Sequence, residues 1–589
     1  MERNPPAVNL QHALDFFIEP ILVLALIITP FLVGLTGLYT LGIVELSAFL
    51  ILFLWLLKSI AKGSIEFIRI PVNITIALFL IFVAVQYFFI NGFISDFILG
   101  EIYRQKIRGE ALRIISYLVF FYVVLHNFQD RKKINRLISF LIFSGFVLSI
   151  LGITQKLSGA QNIFWMNTVD RNQPFFASFP NRSHFANYIN MIIFLTMGVV
   201  FSHLPLLRDD VKGIDKESVF KGLLAMFQNW TWLYVFALVI MSSSLFYSVS
   251  RGGIFSFLCG GVLFLVLIFA KNLTKRGYLI LFFVFMLILI MLIWINAPGQ
   301  IIERFTHQTN LKAPLIYKIL GNRTDLNNST IDLIKRYPIF GVGLGAFEFI
   351  YNKRFKPESF KIFYVDHAHN DFLEFFSEVG LVGFTIFFIT ACLYLLLVFK
   401  MILKRHDPFV IGVGSGAVAG IFSMGIHSFF DFSLHVTPNG VLFFVIAALA
   451  LVITNSQTLD YKETSGLLKI RSLSIRSSLL KFAILLGLVI IFFNIAQFII
   501  NPYIADRICE DKKTDIYNNL IEGIRLDPLN DKYHFLLARV YISESRIKMD
   551  KREEYIKSAI KEIKEAIRIN PWKEYYSKYL NWILKTFKP

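Results

Sequence analysis

About thirteen apolar stretches of roughly twenty residues run along this chain, and they leave it few ways to fold. In a bilayer every backbone N–H and C=O needs a partner within the chain, so such stretches become membrane-crossing helices. The expected spans are 17–37, 41–60, 71–91, 111–127, 134–155, 184–203, 230–249, 254–270, 277–296, 379–400, 409–430, 436–454 and 478–500. Composition agrees, with 56% hydrophobic residues and a mean hydropathy of +0.60. The expected fold class is all-α, a polytopic helical membrane protein. Length by itself would suggest about four domains, but apolar runs of this length override that prior.

Residues 1–15 lack the short apolar core and small-residue cleavage site of a signal peptide, so the first span is expected to stay as an anchor. Cys259 and Cys392 fall inside spans and Cys509 beyond them, which offers neither a disulfide framework nor zinc spacing. The net charge of +18 is dispersed among spans and forms no soluble basic patch, which argues against nucleic acid as a partner. Part of it is topological, because cytoplasmic loops collect Lys and Arg. With a cytoplasmic N-terminus, alternating spans put five basic clusters inside: Lys58/Lys62/Arg69, Arg131/Lys132/Lys133/Arg136, Lys271/Lys275/Arg276, Lys400/Lys404/Arg405 and Lys469/Arg471/Arg476. Segments 92–110, 156–183, 297–378 and the tail from 501 then lie outside. They too are basic, carrying Arg104, Lys106, Arg108, Arg171, Arg182, Arg304, Arg323, Lys353 and Arg354. An anionic ligand at the outer face would explain this surplus; solvated loop charge is the plainer account of any single residue.

The expected division is a membrane domain over 1–500, including the outer loop 297–378, and an extracytoplasmic helical domain over 501–589. In the tail, apolar runs stop and charges of both signs recur at helical spacing. Ile524-Arg525-Leu526-Asp527-Pro528 resembles Ile567-Arg568-Ile569-Asn570-Pro571, and Tyr533 and Tyr576 follow at the same offset. This looks like a degenerate pair of tetratricopeptide repeats, too few for an independent solenoid, so the tail is expected to dock on the membrane domain or on an envelope-assembly partner.

Four constellations fall near the outer face. Asn181-Arg182-Ser183-His184-Phe185-Ala186 opens the sixth span. Ser250-Arg251-Gly252-Gly253 makes an abrupt outer turn, where paired glycines permit close approach of a ligand; an interfacial arginine reaching lipid phosphates explains it about as well. Next, a stretch runs from Arg323 through Tyr337-Pro338-Ile339-Phe340-Gly341-Val342-Gly343-Leu344-Gly345 to His369. Its glycines could cradle phosphate, although a plain loop-turn fits a G-x-G-x-G with no preceding strand better. Finally, His427, Asp431 and His435 are spaced as one helical face. A metal site is conceivable there, with a hydrogen-bonded Asp–His pair the stronger reading.

Asp366-His367-Ala368-His369-Asn370-Asp371 ends the longest hydrophilic interruption, just where a new helix begins. Ionisable groups at membrane depth are expensive, which marks the cluster as functional by default. For His367 and His369 three readings stand: a hydrogen bond tying down the loop, a catalytic imidazole, or a shared metal with Asp366, Asp371 and Glu374 as oxygen donors.

Taken in order, these segments resemble the O-antigen ligase and Wzy-type polymerase superfamily of bacterial membrane glycosyltransferases. The resemblance spans about 180 to 445 and rests on Asn181–Ala186, Ser250–Gly253, Arg323 and Tyr337–Phe347. Ala368–Leu373, Glu378–Gly383 and His427–Pro438 complete it. One departure is visible: a Trp common in the family shortly after the Arg323-type arginine is replaced by Asn327–Thr330.

The resemblance implies a GT-C-like helical enzyme of the bacterial cytoplasmic (inner) membrane, with its C-terminus outside. It implies transfer of a glycan from undecaprenyl diphosphate to an acceptor hydroxyl, as in lipopolysaccharide biosynthesis, with membrane lipids around it. Arg182, Arg251 and His369 would be catalytic. Arg323, Asn181, His184, His367, Asn370, Asp371, His427 and Asp431 would bind substrate. No cofactor and no metal are expected. The acceptor stays open among a lipid-A core sugar, another lipid-linked repeat, and protein Ser or Thr. A transporter or flippase for lipid-linked sugars is the reading from another class, but matching halves with interrupted helices are not visible here. A membrane scaffold would leave the outer arginines and His369 unexplained.

Overall fold

A computed structural model describes residues 6–34, 37–93, 100–166, 174–203, 230–270, 323–357, 364–455, 469–474, 477–511 and 515–587. The expected span 277–296, the basic cluster Lys271/Lys275/Arg276, and Arg171 and Arg304 lie outside the described residues.

Among the described residues the chain is helical almost throughout. The membrane part comprises α1 (Pro6–Leu32), α2 (Gly37–Lys62), α3 (Val72–Phe93), α4 (Glu101–Asn127), α5 (Arg131–Leu157), α6 (Arg182–Ser202), α7 (Thr231–Tyr247) and α8 (Arg251–Phe269). It continues with α9 (Arg323–Arg336), the short α10 (Phe347–Ile350), α11 (Asp371–Lys404), α12 (Pro408–His427), α13 (Thr437–Asn455) and α14 (Ser478–Glu510). Eleven described helices are long and apolar enough to cross a membrane, and α7 is a shorter apolar helix beside them. The protein is an all-α polytopic membrane protein.

Several boundaries differ from the sequence expectation. Helix α4 begins at Glu101, so Arg104, Lys106 and Arg108 lie on its first turns instead of in a loop. Lys106 pairs with Glu348 at 2.7 Å, and the Arg108 guanidinium lies 3.9 Å from the Phe498 ring centre. Part of the positive charge expected outside is thus engaged within the chain. Helix α12 ends at His427 and a 3-10 turn covers Ser433–His435, so His427, Asp431 and His435 do not share one helical face.

The sequences of α6 and α12 explain their close approach. Gly198 faces Gly412 and Gly416, and a Cβ at Gly412 would fall 2.6 Å from the Gly198 carbonyl oxygen. Without an aqueous hydrophobic effect, membrane helices associate through such small-residue contacts.

Contacts also sort the loops into two ends. Strand β1 (Ser64–Arg69) pairs antiparallel with β2 (Lys469–Ser474), joining two loops that both carry basic clusters. Arg131 meets Asp407 at 3.0 Å, bringing two more basic clusters to that end. The starts of α6, α8, α11 and α13 gather at the opposite end.

Beyond α14, helices α15 (Ile516–Leu526), α16 (Asp531–Ile547), α17 (Arg552–Ile569) and α18 (Glu574–Thr586) enclose two small cores. The similar segments 524–528 and 567–571 each end a helix and turn into the next. Tyr533 on α16 donates to Asp506 on α14 and Tyr576 on α18 to Asp531 on α16, so each tyrosine ties its helix to the one two before it. Lys353 meets Glu574 at 2.8 Å and Gln105 donates to the Leu529 carbonyl at 3.2 Å, docking this tail on the membrane part.

Candidate functional site

Three helix starts are built alike. Asn181 accepts from Ser183 N at 2.8 Å, Ser250 from Gly253 N at 3.2 Å, and Asn370 from Leu373 N at 3.1 Å. Each is an N-cap that satisfies a helix donor otherwise left open. The caps put Arg182, Arg251 and Asp371 at the first positions of α6, α8 and α11. Ser250 Oγ lies 3.2 Å from Ser183 Oγ, so the starts of α6 and α8 touch. Gly253 admits the Ala186 side chain, and a Cβ at Gly252 would meet His427 at 3.4 Å. The paired glycines therefore serve helix packing beside His427.

Asp431 is where the separate segments meet. His369 Nδ1 lies 3.0 Å from its Oδ1, His184 Nε2 lies 3.7 Å from the same oxygen, and an Arg323 nitrogen lies 3.8 Å from Oδ2. Arg323 also donates to the Phe430 carbonyl. Asp431 is 1% exposed in its side chain whereas His369 is 33% exposed, so the carboxylate backs the imidazole and the imidazole faces out. Burial would raise the Asp431 carboxyl, but the nearby His184, the bond to His369 and the charge of Arg323 hold it well below the usual range. Arg251 lies near enough to Arg323 to feel its charge.

His369 adopts φ +51°, in the left-handed region that bulky residues enter at a cost. Its neighbours hold it there. Glu374 accepts from Ala368 N at 2.6 Å and from His367 Nδ1 at 2.7 Å, while Asp371 N donates to the Ser428 carbonyl at 2.9 Å. His367 thus turns to Glu374 and not to Asp431. Burial opposes its protonation, but the Glu374 carboxylate outweighs that and lifts its pKa to about 9. The Phe432 ring stacks on His367 at 4.2 Å and meets His369 edge-on at 4.9 Å, filling the space between the two.

The glycine loop has a structural use. Helix α11 breaks at Gly380 (φ +60°), and Leu381 N and Val382 N donate to the carbonyls of Pro338 and Ile339 at 2.8 and 3.1 Å. In return Val342 N and Gly343 N donate to the carbonyls of Ser377 and Glu378 at 2.9 and 2.8 Å. The loop supplies the backbone partners that the broken helix lacks. Gly341, Gly343 and Gly345 all have positive φ, and Gly341 packs on Gly380 too closely for any side chain. These amides are spent on α11, which leaves the phosphate-cradle reading without donors at Val342 and Gly343.

Sequence reasoning singled out Asn181, Arg182, His184, Arg251, Arg323, His367, His369, Asn370, Asp371, His427 and Asp431, all of which lie at this end. It passed over Phe432 and the holding role of Glu374. The signal for Glu374 was its position one helical turn after Asp371, on the same face.

Comparison with known families bears on this segment. Residues 236–388 match the family described as O-antigen ligase. The match begins in α7 and ends past the break in α11, taking in Arg251, Arg323, His367, His369 and Glu374. No curated protein matches the chain. Through this central segment the chain is similar to the O-antigen ligase family.

Proposed function

We propose that this protein transfers a glycan from an undecaprenyl-diphosphate donor to an acceptor hydroxyl, as a ligase or polymerase, at the outer face of the cytoplasmic membrane. The observation that carries the reading is the contact of His369 with the buried Asp431, which the Arg323 guanidinium also approaches. Asp431 takes the Nδ1–H of His369, which turns Nε2 outward as a proton acceptor. The acceptor oxygen attacks the anomeric carbon, its proton passes to His369 Nε2, and the bond to diphosphate breaks with the electron pair leaving on phosphate. In-line attack inverts the anomeric centre. Arg251, with Arg182 at the adjoining helix start, binds the departing diphosphate, since guanidinium forks stay charged and match phosphate oxygens. Arg323 is partly engaged by Asp431 and Phe430, so it orients the dyad and adds positive charge. His184, His427, Asn181, Asn370 and Asp371 line or hold the site. The step itself calls on no metal and no cofactor.

The basic loops at the β1–β2 end support a cytoplasmic location for that end by the positive-inside rule. The site and the tail then lie outside, where a repeat-like tail can recruit envelope partners. Residues 1–500 and 501–589 act as two domains in this reading, joined through α14, which runs on to Glu510.

The test uses full-length protein with purified lipid-diphosphate glycan and acceptor. Arg251→Ala and His369→Ala are expected to abolish transfer while membrane insertion is kept. Normal products from both would end the proposal. In the native host, deletion distinguishes the two activities: free lipid-A core indicates a ligase, and a single-repeat product a polymerase.

A further inference from the structure

Next to the Asp431 hub lies a second cluster built from other atoms. His367 Nδ1 is 2.7 Å from Glu374 Oε1, and His435 Nε2 is 3.7 Å from that same oxygen. The three ligand-type atoms all lie within 4.8 Å of one another. Asp371 stands beside the three, its buried Oδ1 3.8 Å from His435 Nε2. Two imidazole nitrogens and one carboxylate oxygen, from three elements, thus face a common point. We propose that His367, Glu374 and His435, with the Asp371 carboxylate beside them, form a structural site for a divalent transition-metal ion of the zinc class.

The donor set selects this class. Mixed imidazole and carboxylate ligands in fourfold arrangement suit zinc and its neighbours, whereas calcium and magnesium prefer sets made of oxygen alone. Surrounding groups hold the ligands in the way such sites require. Ala368 N donates to Glu374 Oε2 at 2.6 Å, leaving Oε1 for the cluster. Leu434 N donates to Asp371 Oδ2 at 3.3 Å, which turns Oδ1 the same way. Phe432 walls one side by stacking on His367 at 4.2 Å. A hydrogen bond explains the 2.7 Å contact of His367 with Glu374, yet His435 Nε2 stands 3.7 Å from Glu374 and 3.8 Å from Asp371, beyond hydrogen-bond reach of either carboxylate. A cation between them would engage all three ligand atoms.

Sequence spacing suggested His367 and His369 as partners on one metal. The structure separates them, with His369 on Asp431 at 3.0 Å and His435 taking its place. The ion would tie the segment before α11 to the 3-10 turn after α12, fixing the backbone on both sides of His369. The inference rests on ligand geometry and is independent of the proposed transfer reaction.

The experiment uses the full chain purified in detergent, stripped with a chelator and titrated with Co2+ alone. Expected are visible absorption bands of four-coordinate cobalt saturating at one ion per chain, their loss on adding Zn2+, and a rise in Tm with either ion. His435→Ala is expected to weaken Co2+ binding more than about 100-fold, with the Tm of the metal-free protein kept. If that variant does not fold, Glu374→Gln serves, since it keeps size and shape while removing the charge. Absence of the cobalt bands in the wild type, or bands unchanged in the folded variant, overturns the site. Cobalt binding in a protein that shows no glycan transfer would overturn the proposed reaction and leave the metal site standing.

Discussion

Helices α6, α12 and α13 are buried along most of their length, whereas α11 and α14 leave most of theirs unburied, and that pair is the more apolar. A soluble protein would show the reverse. In lipid the outside is the apolar solvent, so hydropathy reports contact with the bilayer, and the interior is free to hold small and polar residues. The buried helices use that freedom. Asn190 donates to the Gly253 carbonyl at 2.9 Å, Asn439 donates to the His184 carbonyl at 3.0 Å, and Gly198, Gly412 and Gly416 bring backbones together. The chemistry gathers where these less apolar helices begin and end.

The sharpest way to break this contrast is Asp431→Asn, which keeps shape and loses the charge behind His369. Transfer should fall by about 10²- to 10⁴-fold, the range for losing a positioned base, with melting little changed; a variant that transfers normally would remove Asp431 from the mechanism. Next in size is Gly416→Val in α12, where a side chain would run into the Phe194 carbonyl. Overpacking of this kind costs about 1–3 kcal/mol, so a melting curve in detergent should shift down, and an unshifted curve would mean that α6 and α12 do not touch there. In α14, nothing lies within 4 Å of a Cβ at Gly487. Gly487→Ala should therefore raise stability by about 0.4–1 kcal/mol, and a loss would show that this exposed helix is covered by something.

The smallest effect belongs to the tail. His534 Nδ1 lies 2.6 Å from Glu562. Burial lowers its pKa, but bonds to Glu562 and to the Pro528 carbonyl outweigh this, and the folded value stands above the unfolded one. The pair's contribution is thus full below the unfolded histidine pKa of about 6.5 and fades as pH rises through the folded value. Glu562→Gln should flatten that slope in full-length protein; an unaltered slope would place the titration elsewhere.

Much of the architecture was legible in the sequence, because a span is a local property of about twenty residues. The caps are just as local, since Asn181, Ser250 and Asn370 each act within three residues of themselves. The site was legible in its members and not in its pairings. His367 and His369 are two apart and go to different carboxylates, since a left-handed turn at His369 redirects one of them. His427, Asp431 and His435 looked like one helical face until the helix stopped at His427. The glycine loop read as a possible phosphate cradle because its partner, the break at Gly380, lies some forty residues away.

Sequence by itself determined that the chain is a bundle of membrane helices and which family its central segment resembles. Both follow from local composition and ordered motifs. Only the tertiary structure decided that Asp431 serves His369, that Glu374 serves His367, and that His435 joins the latter pair. Those choices depend on how helices from distant parts of the chain meet, and a hydrogen bond or a metal ligand is set by angstroms of distance that residue spacing does not encode.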